Sequence, residues 1–349
     1  EVNSEQLARR EVRYIQVNPG QGQYVWLDSL FNNDGIQDVE EFQLANNPLV
    51  ADFIRVLVPT AELVPTTRLS LTGTLRWDFK QLWEDKKKLL RALRAVRLLS
   101  SFRLTQSKSR NTELGSYFIN LRAPFADTTL LNANYSFRQD LILFQNSPRG
   151  DLRFYLQDNQ NKLFLNSGDE FRGFRAWGAA QRLNLGASRS IEVETRLGNR
   201  FTLAPAFPTR NFDIALVETQ PKLNIQLSRK LRVSGGYAYN WRQNRDSVDL
   251  VNATVRIHKA IFDTRWNLKD RNNIFLKLEL SRLQLVGEPN FSAGYELQEG
   301  LQPGLNAVWQ AFVTYYLLDN VELSITYDGR VSQTARPIHT GRVQVRAFF

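Results

Sequence analysis

The sequence predicts an all-β fold: an antiparallel up-and-down transmembrane β-barrel of about fourteen strands, preceded by a small N-terminal β/turn region. Three observations predict it. From Thr67 onward apolar and polar residues alternate with a period of two, the mark of strands with one oily and one wet face. Short turn-rich connections alternate with long ones, as in barrels with tight turns at one rim and loops at the other. No apolar run approaches the roughly 20 residues that a membrane-spanning helix needs.

The N-terminal region, 1–66, reads as short strands and turns. It holds Asn18-Pro19-Gly20-Gln21-Gly22-Gln23, then Tyr24-Val25-Trp26-Leu27, an acidic loop from Asp28 to Phe42, and Phe53-Ile54-Arg55-Val56-Leu57-Val58. The barrel proper is expected over 67–349. In its first strand Leu69, Leu71, Leu75, Trp77 and Phe79 oppose Arg68, Ser70, Thr72, Thr74, Arg76 and Asp78. Next, Val96, Leu98, Phe102 and Leu104 oppose Arg97, Ser101, Arg103 and Thr105; then Leu131, Ala133, Tyr135 and Phe137 oppose Asn132, Asn134, Ser136 and Arg138. Leu152, Phe154 and Leu156 oppose Asp151, Arg153 and Tyr155, and weaker strands follow near 174–187 and 190–202.

The alternation then sharpens. Leu223, Ile225 and Leu227 oppose Lys222, Asn224 and Gln226; Leu231, Val233, Tyr237, Tyr239 and Trp241 oppose Arg232, Ser234, Asn240 and Arg242. Phe262, Trp266 and Leu268 oppose Asp263, Arg265 and Asn267, and Ile274, Leu276, Leu278 and Leu280 oppose Lys277, Glu279 and Ser281. Strands near 304–317 and 320–332 lead to the last one, where Gly341, Val343, Val345, Ala347 and Phe349 oppose Arg342, Gln344 and Arg346. Long connections are expected at about 108–128, 159–172, 203–212, 243–255, 287–303 and 332–337. If the last strand descends to the periplasm, counting back about thirteen strands makes the first descend too. Residues 1–66 would then start outside the cell, and the odd count implies a further strand within 1–66 or upstream.

Composition excludes several classes. The chain has 349 residues with no cysteine, so disulfides and thiolate metal sites are impossible. Net charge is +10, from 45 Lys+Arg against 35 Asp+Glu. Because the basic residues are spread over almost every strand and not gathered on one face, no nucleic-acid partner is expected. The start, Glu1-Val2-Asn3-Ser4, shows no basic n-region or apolar h-region, so a signal peptide is absent or already removed.

Several runs resemble segments of large outer-membrane proteins of Bacteroidota-type bacteria. They are Tyr24-Val25-Trp26, Asn32-Asn33-Asp34-Gly35-Ile36-Gln37, Glu41-Phe42, Phe53-Ile54-Arg55-Val56 with Pro59-Thr60, Gly300-Leu301-Gln302-Pro303-Gly304, and the ending from His339 to Phe349. The resemblance implies a bacterial outer-membrane location and a barrel forming the C-terminal portion of a longer chain; it does not imply an activity. It also implies that Val343, Val345 and Phe349 form the aromatic-ended signal read by the barrel-assembly machinery. Outer-membrane lipid and lipopolysaccharide would then be partners, with other envelope proteins besides.

Four candidate sites stand out. The acidic loop has the look of a calcium site: Gly35 at the sharp turn, Asn32 and Asp34 before it, the Ile36 carbonyl, Asp38, and Glu41 at the bidentate position. Its first ligand position is Leu30, and Asp28 could serve only in a loop two residues longer; the alternative is an Asx-rich surface turn. The basic stretch 85–94, with Trp83 beside it, reads either as an interfacial anchor on lipid phosphates or as a solvated connection. On the polar face, Arg68, Arg76, Arg97, Arg103, Arg138, Arg153, Arg182, Arg232, Arg242, Arg265, Arg342 and Arg346 either bias a water-filled lumen toward anions or form a ladder of Arg–carboxylate pairs. Outer loops carrying Tyr117, Phe118, Phe125, Phe291 and Tyr295 are candidates for docking other proteins. His258 and His339 lie on different strands with no carboxylate at a telling spacing, so no enzyme is expected. The expected function is a membrane scaffold within an envelope secretion or surface-assembly complex. The alternative is a porin-like channel favouring small anionic solutes.

Overall fold

A computed structural model describes residues 2–45, 50–79, 96–109, 129–145, 147–246, 253–268, 271–333 and 335–348. β1 (Val2–Gln16), β2 (Tyr24–Trp26) and β3 (Phe42–Leu44) precede a long β4 (Phe53–Asp78). β5 (Val96–Ser109), β6 (Leu130–Leu143), β7 (Gly150–Leu165), β8 (Gly168–Asn184) and β9 (Arg189–Leu203) follow. Then come β10 (Phe212–Gln226), β11 (Leu231–Asn244), β12 (Thr254–Asn267) and β13 (Asn273–Val286). Helix α1 (Phe291–Gln298) interrupts the run before β14 (Gly304–Leu318), β15 (Val321–Ser332) and β16 (Ala335–Ala347). No described helix is long and apolar enough to cross a membrane.

All sixteen strands belong to one sheet, and from β4 to β16 each pairs antiparallel with its chain neighbour. Setting aside the three-residue strands β2 and β3, the described residues form fourteen long strands, of which β1 lies within the N-terminal region. The division at 66/67 is not a break in the structure, because β4 runs straight across it. Its first half pairs with β1 (Gln16 opposite Phe53, Val2 opposite Leu69), and its second half with β5 (Thr66 opposite Ser109, Asp78 opposite Arg97). Among the described residues β16 pairs only with β15.

Two of the expected long connections are short. At 159–172 the strands β7 and β8 stay paired to their tip, Leu165 opposite Gly168, around a tight turn at Asn166 and Ser167. Gly168 has φ +110, which only glycine adopts without strain, so the turn closes there and the ladder continues. The reward is local: Arg10 on β1 pairs with Leu165, and the Asn166 N–H donates to the Arg10 carbonyl at 2.8 Å. The connection at 332–337 is likewise tight, since β16 begins at Ala335.

The alternation becomes two chemically different faces. Trp77, Phe154, Trp177, Phe262, Trp266, Leu276, Leu278, Leu280, Ile325, Val343 and Val345 are all exposed on one face, Trp77 by 56% and Trp177 by 60%. The other face is concave. Arg330 on β15 donates to the Gly20 carbonyl, and Glu170 on β8 pairs with Arg55 at 2.7 Å. Arg210, between β9 and β10, donates to the Val39 and Phe42 carbonyls at 2.6 and 3.2 Å. Strands far apart in the sheet thus reach the same short N-terminal segment, which requires the sheet to curl around it.

That segment has its own small core. Tyr14 stacks on Phe42 with ring centroids 4.0 Å apart, and Tyr24 and Phe53 meet this pair edge-on at 5.0 Å each. Burial pushes the Tyr14 phenol up to about 12.

The Arg55–Glu170 pair, with side chains 11% and 6% exposed, ties this core to β8. Replacing Glu170 by Ala should cost about 3–5 kcal/mol, because a buried guanidinium is left without its counter-charge. Arg55→Met together with Glu170→Leu should recover most of it. Denaturant titration of the single and double variants checks this.

Candidate functional site: a concave face filled by the chain itself

Neighbouring strands present opposite charges at matching heights, and these join across the concave face. On β6, the Arg138 Nε donates to Asp140 at 2.8 Å, and its guanidinium lies 5.0 Å from the Tyr155 ring centroid on β7. The Tyr155 hydroxyl donates to Glu194 on β9 at 2.7 Å, over Gly178. A β-carbon at Gly178 would come within 2.7 Å of that ring, so glycine is what lets the tyrosine lie flat. Arg196 on β9 donates to Glu218 on β10 at 2.9 Å, and Arg242 on β11 reaches the other Glu218 oxygen at 2.7 Å. Arg242 is 9% exposed, and it also binds Glu299, which in turn binds Lys259 on β12.

Glu299 belongs to the connection that holds α1. Asn290 caps the helix by accepting from the Ala293 N–H at 2.7 Å. Ser292, Ala293 and Gly294 are small enough to let the backbone approach the sheet closely. Ala293 and Leu297 are fully buried on Phe212, Ile214, Val255, Ile257 and Leu283. These five apolar side chains stand at concave-face positions where water or charge would otherwise be expected. Glu299 ends the helix at φ 54, a left-handed conformation that costs a residue bearing a β-carbon roughly 1–2 kcal/mol. Its carboxylate offsets that cost by bridging Arg242, Lys259 and Asn240, the last at 3.1 Å. One turn earlier, Glu296 accepts from Arg200 at 2.6 Å. Burial raises the Tyr295 phenol above its ordinary value.

Two spaces remain. One of about 700 Å³ lies between the N-terminal segment and β6–β10, lined by Tyr24, Arg55, Asn134, Glu170, Arg200 and Tyr295 among others. The second, about 680 Å³, has six carboxylates (Glu194, Glu218, Asp263, Glu279, Glu296, Glu299) against six cations (Arg196, Arg200, Lys222, Arg242, Lys259, Lys277). Its lining has no excess of either sign.

The arginines expected on this face are mostly matched. Arg68 pairs with Glu5 at 3.4 Å, Arg76 and Arg97 share Asp78, and Arg153 stands 3.9 Å from Asp140. Arg265 lies over the Phe275 ring, and Arg346 donates to Gln344 at 3.5 Å. Arg103, Arg232 and Arg342 have no carboxylate in ion-pair range among the described residues.

Of the expected loop ligands, Asp34 and Glu41 come together with Asp28: one carboxylate oxygen from each lies within 4.8 Å of the others. The Gly35 N–H donates to Asp28 at 3.1 Å, so Asp28 closes the loop from two residues before Leu30. Asn32 donates to Asp34 at 3.0 Å, and Asp38 instead caps the short 3-10 turn Val39–Glu41. The Ile36 carbonyl accepts from the Asp38 N–H at 3.1 Å.

Phe291 and Tyr295, expected on an outer docking loop, belong to α1 and are only partly exposed there. Val343 and Val345 are exposed on β16 by 67% and 61%. His258 and His339 meet the Tyr237 and Tyr327 hydroxyls at 2.5 and 2.8 Å, side by side with exposed apolar residues. Phe349, the basic stretch 85–94 with Trp83, and Tyr117, Phe118 and Phe125 lie outside the described residues.

The residues that sequence reasoning missed are Leu297, Glu296 and Glu299. Their trace was an inversion of phase in β12, where Val255 and Ile257 fall on the otherwise polar face and Arg256 and His258 on the other. No known protein-family model matches this chain, and no curated protein matches it.

Arg242→Ala should cost about 3–5 kcal/mol by leaving Glu218 and Glu299 unmatched. Leu297→Ala should cost about 2–5 kcal/mol by emptying the pocket beneath α1. In both variants, limited proteolysis should cut within 287–303 faster than in the parent, and mass spectrometry of the fragments reads the position.

Proposed function

We propose that this chain is a membrane-embedded, barrel-like scaffold of a bacterial outer membrane and serves as a component of an envelope secretion or surface-assembly complex. The observation that carries the reading is the pairing of an apolar convex face with a concave face filled by the chain itself. Water-soluble monomers rarely expose contiguous apolar patches beyond a few hundred Å². Here large apolar side chains stand exposed on β4 and on the strands from β7 through β16. Lipid is the solvent in which that surface costs nothing, and lipopolysaccharide would cover its outer half. Recognition by the barrel-assembly machinery through β16, and docking of other envelope proteins, belong to the same reading.

The filling favours a scaffold over an open pore. The N-terminal segment and α1 occupy the space through which solute would pass, and ion pairs and a dry apolar contact fix both in place. A second reading, a narrow porin-like passage, is supported by the two cavities near 700 Å³. The balanced lining of the second argues against a preference for anions there, whereas the first has Arg55, Arg172, Arg200 and Arg210 against Glu170 and Glu296. A non-catalytic role is part of this proposal.

Unboiled protein should migrate differently from boiled protein on a gel, and extraction should require detergent; identical migration with extraction by salt alone would refute the membrane reading. In planar bilayers the purified protein should show no steady conductance, and Leu297→Asp, which unseats α1, should produce one with little ion selectivity. Steady anion-selective conductance of the unaltered protein would favour the channel.

A further inference from the structure

We propose that Asp28, Asp34 and Glu41 form a calcium site that locks the N-terminal segment in its folded turn. This inference rests on the loop's own geometry and stands whether the protein is a scaffold or a channel.

Three carboxylates converge here, with one oxygen of each within 4.8 Å of the others. Two oxygens on opposite sides of a calcium ion, each about 2.4 Å away, span that distance. Elsewhere on the concave face carboxylates that meet have arginine or lysine between them, as Glu218 and Glu299 have Arg242. None of these three has such a partner among the described residues. Mutual repulsion of three uncompensated charges would spread the loop, and a divalent cation removes it.

A second, independent observation points into the same place. Glu41 is 1% exposed, and its Oε2 accepts from Trp26 Nε1 at 2.7 Å and from the Asp38 N–H at 3.2 Å. Its Oε1 is buried with no hydrogen-bond partner, and so is Asp28 Oδ1. A buried carboxylate oxygen left bare is costly, and these two belong to the same cluster. The backbone already holds the open shape: Asn33 and Gly35 take φ 53 and 75, and the Asp28 carbonyl accepts from Phe31 and Asn33. All-oxygen donors on an irregular loop suit calcium better than magnesium, which demands near-octahedral geometry.

The site joins the two ends of the segment, since Asp28 follows Trp26 on β2 and Glu41 precedes Phe42 on β3. Arg210 holds the same 3-10 turn from outside, through Val39 and Phe42. Cation binding therefore clamps a turn that the sheet also grips.

Trp26 lies against Glu41, so a terbium ion in the site should luminesce when tryptophan is excited. With the full chain, saturable terbium luminescence should appear, and calcium should displace it at lower concentration than magnesium, with half-effect below about 1 mM. Asp34→Asn, at an exposed position, should weaken calcium about tenfold or more with an unchanged circular dichroism spectrum. Trp26→Phe should abolish the luminescence, and the rise in melting temperature that calcium gives the parent should shrink in Asp34→Asn. Absence of saturable binding at millimolar calcium, equal affinity in Asp34→Asn, or luminescence surviving Trp26→Phe would each overturn the proposal.

Discussion

Charge placed on the inside of a curled sheet has to be answered from the inside. Arg242 is the clearest case: it is nearly buried, and it is held by Glu218 from the neighbouring strand and by Glu299 from the connection that carries α1. The second carboxylate ties a loop to the sheet, so one ion pair decides where fifteen or so residues of chain must go. The apolar patch of Ile214, Val255, Ile257 and Leu283 requires the same loop to cover it with Ala293 and Leu297. Electrostatics and burial therefore make one demand. On the N-terminal side Arg55–Glu170 and Arg330–Gly20 repeat it, drawing the segment that includes the acidic loop into the concavity.

This arrangement changes what the net charge of +10 means. A surplus of arginine on the polar face of each strand suggests a positively biased lumen while each strand is considered alone. Once strands are neighbours, Arg76 and Arg97 converge on Asp78, and Arg196 and Arg242 on Glu218. The second cavity is lined by equal numbers of the two signs. Arginine here acts mainly as a cross-strand connector, which its forked donors suit.

How much was legible in the sequence follows from which forces are local. Alternation such as Leu276, Lys277, Leu278, Glu279, Leu280 is a property of the strand alone, so strand order and the exposed face could be read directly. In the sequence the β7–β8 hairpin reads as a loop because Asp158 to Lys162 is polar on both parities; its strand state comes from pairing and from contact with β1, which are not local. The alternation changes pattern at 66/67, yet the backbone of β4 continues because β1 and β5 supply partners on opposite edges in turn. In the acidic loop, Asp34, Gly35 and Glu41 stood at informative spacings. Asp28 did not, because its part in the cluster depends on the turn closing through the Gly35 N–H.

That the chain fills its own concave face can be measured directly. The sequence has no cysteine, so two introduced ones report only on each other. Gln21 and Asp328 line one cavity of about 300 Å³, although they lie in the N-terminal segment and on β15. Gln21→Cys with Asp328→Cys, treated with a short bifunctional maleimide, should cross-link within one chain in the folded protein and shift its mobility. Failure of this pair to cross-link, while a control pair at the opposed β15–β16 positions Thr326 and Arg342 does so, would contradict the account.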